Sequence, residues 1–180
     1  MLNKEIKLKD GQSCTFRQPQ VEDAQRILDY MNIATVETDF LSFGKDELTW
    51  TLEEEQKFIE EHLDDKNKII IIAEISGEIV GISSITGGKP PRVRHIGELG
   101  ITILKKYWSY GIGCIFMENL IAWANKSCVI RQIFLKVRVD NKRAIKLYKK
   151  FGFIREGKIK RQLFIDNKFY DAYLMGLNID

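Results

Sequence analysis

Residues Glu98 to Gly113 read ELGITILKKYWSYGIG: an apolar strand, a short polar turn, then a G-x-G opening an amphipathic helix. A glycine-containing turn between strand and helix presents unpaired main-chain N–H groups to an anion, and the helix dipole adds to the attraction. The chemistry this indicates at Ser109–Cys114 is pyrophosphate binding. One G-x-G is a weak signal, but a second segment lies downstream: DNKRAIKLYKKFGF, from Asp140 to Phe153. Its Asn141 and Tyr148 lie nearly two helical turns apart, so they share a face, separated by roughly 10 Å along the axis. Taken alone, Asn141 is an N-cap and Tyr148 a packed aromatic. The carboxylates that could accept a proton are Glu98, on a strand face with Gly100 and Thr102, and Glu37 and Asp39, in a loop after the first helix.

The elements that must position these groups follow from periodicity and turn residues. Glu5–Lys9 and Ser13–Arg17 read as a hairpin around Asp10-Gly11. Val21–Met31 has helical spacing, with a cap near Gln20, and residues 34–45 read as a loop. Thr51 to about Leu63 is a second helix opened by a capping box of Thr51 and Glu54. Ile69–Ile75 and Ile79–Ile85 form a hairpin across Ser76–Glu78. Strands follow at Ile96–Leu104 and Ile133–Val139, and helices at Gly113–Lys126 and Lys142–Lys150, the last stopping at Gly152. Phe153–Ile159 and Phe169–Leu177 are strands turning at Asp166-Asn167. The expected architecture is a single α/β (α+β) domain over residues 1–180. It has one mixed, mostly antiparallel twisted sheet of about seven strands, with helices on both faces.

Composition narrows the class. The chain has 180 residues, 44% hydrophobic and 29% charged, with a net charge of +3, values ordinary for a soluble globular protein and too weakly basic to imply nucleic-acid binding. No apolar run reaches membrane-spanning length, and MLNKEIKLKDG lacks the apolar run of a signal peptide. Cys14, Cys114 and Cys128 are odd in number and make no C-x-x-C, and the 2 His are far apart. Neither a disulfide framework nor a metal site is indicated, and a reducing cytoplasm is the expected location. Phe40, Phe43, Trp50 and Phe164 could line a binding cleft, with aromatic core the default reading, and Cys114 reads as a packed small residue.

Taken together, the two segments resemble the GNAT superfamily of N-acetyltransferases, which move an acetyl group from acetyl-CoA to an amine. The resemblance runs from the first strand to the final hairpin. It implies that main-chain amides of Ser109, Tyr110, Gly111, Ile112, Gly113 and Cys114 wrap the CoA pyrophosphate. It implies that Ile101, Thr102 and Ile103 present main-chain groups to pantetheine, with a strand bulge splaying the sheet there. Asn141 would contact CoA, and Tyr148 would act as general acid to the leaving thiolate. Trp108 departs from the family's Gln or Arg at that position. With Glu98–Gly100 and Tyr107, it resembles the branch of ribosomal-protein N-terminal and polyamine acetyltransferases. Some relatives carry a catalytic Glu where this chain has Lys136. Glu98 is then the leading general base, with Glu37 and Asp39 as groups for a cationic acceptor. Acceptors of several kinds fit: a small-molecule amine or a protein N-terminus. The final strands could supply a homodimer edge. An inactive CoA-binding regulatory domain is the alternative. A nucleotide-binding protein is disfavoured by the lack of G-x-x-x-x-G-K-[ST] and of a full G-x-G-x-x-G.

Overall fold

A computed structural model describes residues 3–45 and 47–180. One sheet of eight strands runs in the order β1-β2-β3-β4-β5-β6-β8-β7. The strands are β1 (Asn3–Lys7), β2 (Ser13–Arg17), β3 (Lys68–Ile75), β4 (Glu78–Gly87), β5 (Ile96–Ile103), β6 (Gln132–Arg138), β7 (Ile154–Ile165) and β8 (Lys168–Asn178). Every neighbouring pair is antiparallel except β5 with β6. The count exceeds the expected seven because both arms of the first hairpin join the sheet.

Helices cover the two faces, as expected. On one, α1 (Ala24–Glu37) and α2 (Leu52–Asp64) bury Ile27, Tyr30 and Ile59 against Ile70, Ile72 and Leu104. On the other, α3 (Ile112–Ser127) and α4 (Lys142–Lys150) bury Phe116, Leu120 and Tyr148 against Ile71, Ile85, Leu99 and Ile133. The start of α1 is tied to the sheet by Arg17, which bridges Asp23 and Glu74 at 2.6 Å each.

Local signals mark several boundaries. Thr51 and Glu54 make the expected capping box at α2. The end of α4 is a Schellman turn: Gly152 N–H donates to Lys149 O, Phe153 N–H to Tyr148 O, and Gly152 takes φ +87°. Asp166 and Asn167 both have positive φ, the turn the last hairpin needs. Two boundaries differ from expectation: β7 runs on from Ile159 to Ile165, and residues 34–37 are helical, so Glu37 ends α1 and does not lie in a loop. Thr35 and Val36 give no local stop, and the helix runs on until Thr38 turns extended.

Glu55 sits on the inward side of α2, one turn before Ile59, and is 6% exposed. Burial pushes its carboxyl up to about 7. An acid whose folded pKa exceeds its unfolded value of ~4.3 stabilises the fold below that lower value, and the contribution is lost as pH rises through the window to about 7. Glu55→Gln removes the ionisation. Its Tm relative to wild type should therefore rise between pH 5 and pH 8, by roughly 3 °C or more. An equal difference at both pH values would show that Glu55 does not titrate in this window.

Candidate active site

Strand β5 is held on one side along its length and on the other only at its start. Residues 97–103 pair with β4 without a register shift, so the expected bulge in β5 is absent. With β6, only Ile96–Glu98 pair, opposite Gln132–Phe134. Beyond Glu98 the strands part, as β6 follows β8 through Arg138. The splay thus comes from the ladder ending, and Glu98 keeps its place on one face with Gly100 and Thr102. Leu104 N–H donates to Val80 O and Gly88 N–H to Ile96 O. Even-numbered residues of β5 therefore turn their main chain to β4, and Leu99, Ile101 and Ile103 turn theirs into the gap. Ile103 O accepts from the Trp108 indole N–H at 2.7 Å. Thr102, expected at the cofactor through its main chain, faces β4 instead, and its hydroxyl accepts from Tyr30 at 2.9 Å.

The turn after β5 leads to the start of α3. Gly111 is its N-cap at φ +96°, and Ser109 also has positive φ. Cys114 N–H and Ile115 N–H bond to Gly111 O. Among the described residues, the N–H groups of Ser109, Tyr110, Gly111, Ile112 and Gly113 meet no acceptor. Ile112 anchors the turn by burying its side chain. The two glycines answer different constraints. A Cβ at Gly111 would meet nothing within 4 Å, whereas one at Gly113 would lie 3.1 Å from Leu147, where α3 and α4 press together. Trp108 and α4 close this end. Arg143 stacks 3.3 Å over the Trp108 ring, and Lys150 Nζ lies 3.5 Å from Cys114 Sγ. The indole that departs from the family pattern therefore fixes the end of β5 and holds a cation beside the turn.

On α4, Asn141 caps the helix by accepting from Ala144 N–H at 3.1 Å, which leaves its side-chain NH2 uncommitted. Tyr148 is 8% exposed, packed on Phe153 with ring centroids 5.9 Å apart. Burial pushes its phenol up to about 12.

The α1/α2 face beside the parting strands carries the remaining polar groups. Glu98 Oε1 lies 3.6 Å from Lys136 Nζ, both about half exposed. One oxygen of Glu37 accepts from the Lys105 main-chain N–H, which ties the end of α1 to the turn after β5. Asp39 is exposed. The group unforeseen in the sequence is Arg138, buried at the end of β6. It donates to both Asp140 oxygens at 3.0 and 2.6 Å and to Asp39 O at 2.9 Å. It is also stacked between Tyr170 and Phe40 at 3.8 and 4.8 Å. Phe40, Trp50 and Phe164, expected as core, are all at the surface.

These features coincide with a known family. The model of the Acetyltransferase (GNAT) family matches residues 33–153, and the chain belongs to that family. It is 33% identical over 105 residues to the L-amino acid N-acetyltransferase AaaT of Escherichia coli, covering 58% of this chain and 65% of that protein. It is 33% identical over 126 residues to an N-alpha-acetyltransferase of Sulfurisphaera tokodaii, covering 66% of this chain and 74% of that one. A GNAT-family acetyltransferase from Streptococcus pneumoniae superposes with a TM-score of 0.90 at 38% identity, over 93% of this chain and 99% of that one. The fold is also that of yncA, a putative acetyltransferase from Salmonella typhimurium solved with its cofactor acetyl-CoA. It has a TM-score of 0.81 and 17% identity, covering 93% of this chain and 94% of that one.

Gly111 tests the turn. Gly111→Val puts a side chain into the open space above the unpaired N–H groups and strains φ +96°. Affinity for acetyl-CoA should fall at least ~10-fold, or ~1.4 kcal/mol, with the far-UV spectrum retained. A folded variant of unchanged affinity would remove the turn from the cofactor site.

Proposed function

We propose that this chain is an acetyl-CoA-dependent N-acetyltransferase acting by direct attack of an amine in a ternary complex. The observation that carries the reading is the parting of β5 from β6 beside a turn of unpaired N–H groups. Ser109–Gly113 would hold the pyrophosphate, with Cys114 at the edge of the turn. Lys142 and Arg143 in the first turn of α4 support this, because a cation there opposes the helix dipole, by ~0.3–1 kcal/mol, and a nearby phosphate would offset it. Ile101 and Ile103 would bond the pantetheine arm, and the NH2 of Asn141 is available to it.

Bound acetyl-CoA would supply the thioester: the amine lone pair forms the C–N bond as C–S breaks, and the ammonium gives up two protons in all, one to the base before attack and one that ends on the leaving thiolate. Glu98, beside the start of the gap, is the proposed base. Main-chain N–H groups of β5 facing the gap suit the carbonyl oxygen as charge develops. Tyr148 is the proposed donor to sulfur. A phenol near 12 is a weaker acid than a thiol at ~8.5, so full transfer is uphill. Tyr148 then serves as a hydrogen-bond donor that tightens as the thiolate forms. The acceptor is an amine. The relatives' names do not agree on which: an L-amino acid, an N-alpha group and, in a 19% identical protein from Vibrio cholerae, spermidine.

Tyr148→Phe should leave acetyl-CoA affinity intact and lower kcat by ~10²-fold. Because the phenol stays protonated, wild-type kcat should show no falling limb between pH 7 and 10. A limb there that vanishes in the variant contradicts the assignment, as does a kcat within twofold of wild type when chemistry limits turnover.

Glu98→Gln keeps shape and hydrogen bonding but cannot take a proton. Turnover should fall, and raising pH toward the amine's own pKa should recover part of it. A raised KM or lowered Tm with an unaltered pH profile would move the proton to water or Asp39.

A further inference from the structure

Building on the acetyltransferase reading, we infer that the acceptor is a free α-amino acid, its ammonium at Glu98 and its carboxylate at Lys136. The two side chains project from one face of the sheet, from neighbouring strands, at the point where those strands separate. At 3.6 Å the pair is longer than a hydrogen bond between these groups. Half exposed as it is, such a pair contributes ~0–1 kcal/mol, so a ligand can exchange with it at little cost. An α-amino acid carries its two charges on one carbon, in the same opposed sense and at a similar spacing. Binding replaces one ion pair by two. When Glu98 takes the ammonium proton it becomes neutral, and Lys136 would then stand uncompensated unless the acceptor brings a negative charge.

The neighbouring charges favour the same acceptor. Arg138 is poorly placed to serve: it is buried, its faces are covered by Tyr170 and Phe40, and three of its five N–H donors go to Asp140 and Asp39 O. Glu37 has one oxygen held by Lys105 N–H. Among the described residues, Lys136 is the cation on this face whose ion-pair partner is the proposed base itself. A polyamine would bring further positive charge toward Lys136 and no carboxylate to pair with it, an unfavourable balance that solvent screens at this half-exposed position. A peptide N-terminus would offer Lys136 a neutral carbonyl. Beyond the pair, the floor is apolar: Leu174 stands opposite Lys136 in the β6–β8 register and Phe134 two residues before it, both partly buried. A leucine, methionine or phenylalanine side chain suits that floor.

Thiol release from acetyl-CoA should be measured with L-leucine, L-methionine and L-phenylalanine, each as free acid and as α-amide, and with spermidine. The amide's amine is the less basic, so a preference for the acid cannot come from amine availability. The free acid of at least one should exceed its amide at least tenfold in kcat/KM, and should exceed spermidine. Lys136→Gln should raise KM for the acid at least tenfold, keep kcat within about threefold, and leave the amide within twofold. Equal rates for acid and amide, a preference for spermidine, or a preference for the acid that survives Lys136→Gln would each overturn the inference and leave the acetyltransferase reading intact. Acetyl-CoA binding without thiol release for any amine would overturn both.

Discussion

The structure depends on one ladder that stops early. Strands β5 and β6 are the parallel pair of an otherwise antiparallel sheet, and they stay together only through Glu98. Each is then retained by its outer neighbour, β4 for β5 and β8 for β6. Both free ends are tied off: the Trp108 indole takes Ile103 O, and Arg138 is locked by Asp140, Asp39 O and two aromatic rings. The result is a notch lined by main-chain groups, a form of edge that proteins otherwise cover or pair. Because β5 then leads directly into α3, the unpaired N–H groups of the helix start lie at the mouth of the same notch.

Charge is distributed to match. The proposed cofactor side carries Arg143, Lys150 and a helix start, with no acidic residue in the first turn of α3 or α4. The proposed acceptor side carries Glu98 and Asp39, with Lys136 between Glu98 and the partly buried Phe134 and Leu174. Arg138 links the sides mechanically. It precedes the helix of Asn141 and Tyr148 by only a few residues and clamps the segment that follows α1.

How much of this was legible in the sequence depended on distance along the chain. The starts of α2 and α4 and the end of α4 were readable because Thr51, Glu54, Asn141 and Gly152 act within a few residues of themselves. The G-x-G turn was readable for the same reason, although it did not reveal that Gly113 serves the packing of Leu147. The extension of α1 to Glu37 was not, since the group that meets its carboxylate is Lys105 N–H, 68 residues away. The parting of the strands depends on which partner each strand keeps, and no local pattern encodes that. Lys136 was visible only as a missing base. Its pairing with Glu98 required the register of β5 against β6. Arg138 looked like a strand residue until the loop after α1 and the last strand were folded onto it.

The central claim is that the gap between β5 and β6 and the turn at α3 form one binding surface. Amide hydrogen exchange measured residue by residue, with and without saturating acetyl-CoA, tests it most directly. The account predicts that Ile101, Ile103 and Ser109–Gly113 exchange at least ~10-fold more slowly in the complex, which corresponds to ~1.4 kcal/mol of added protection. Amides of the β1–β2 hairpin should be unaffected. Acetyl-CoA that binds yet leaves Ile101, Ile103 and the turn unprotected would contradict it.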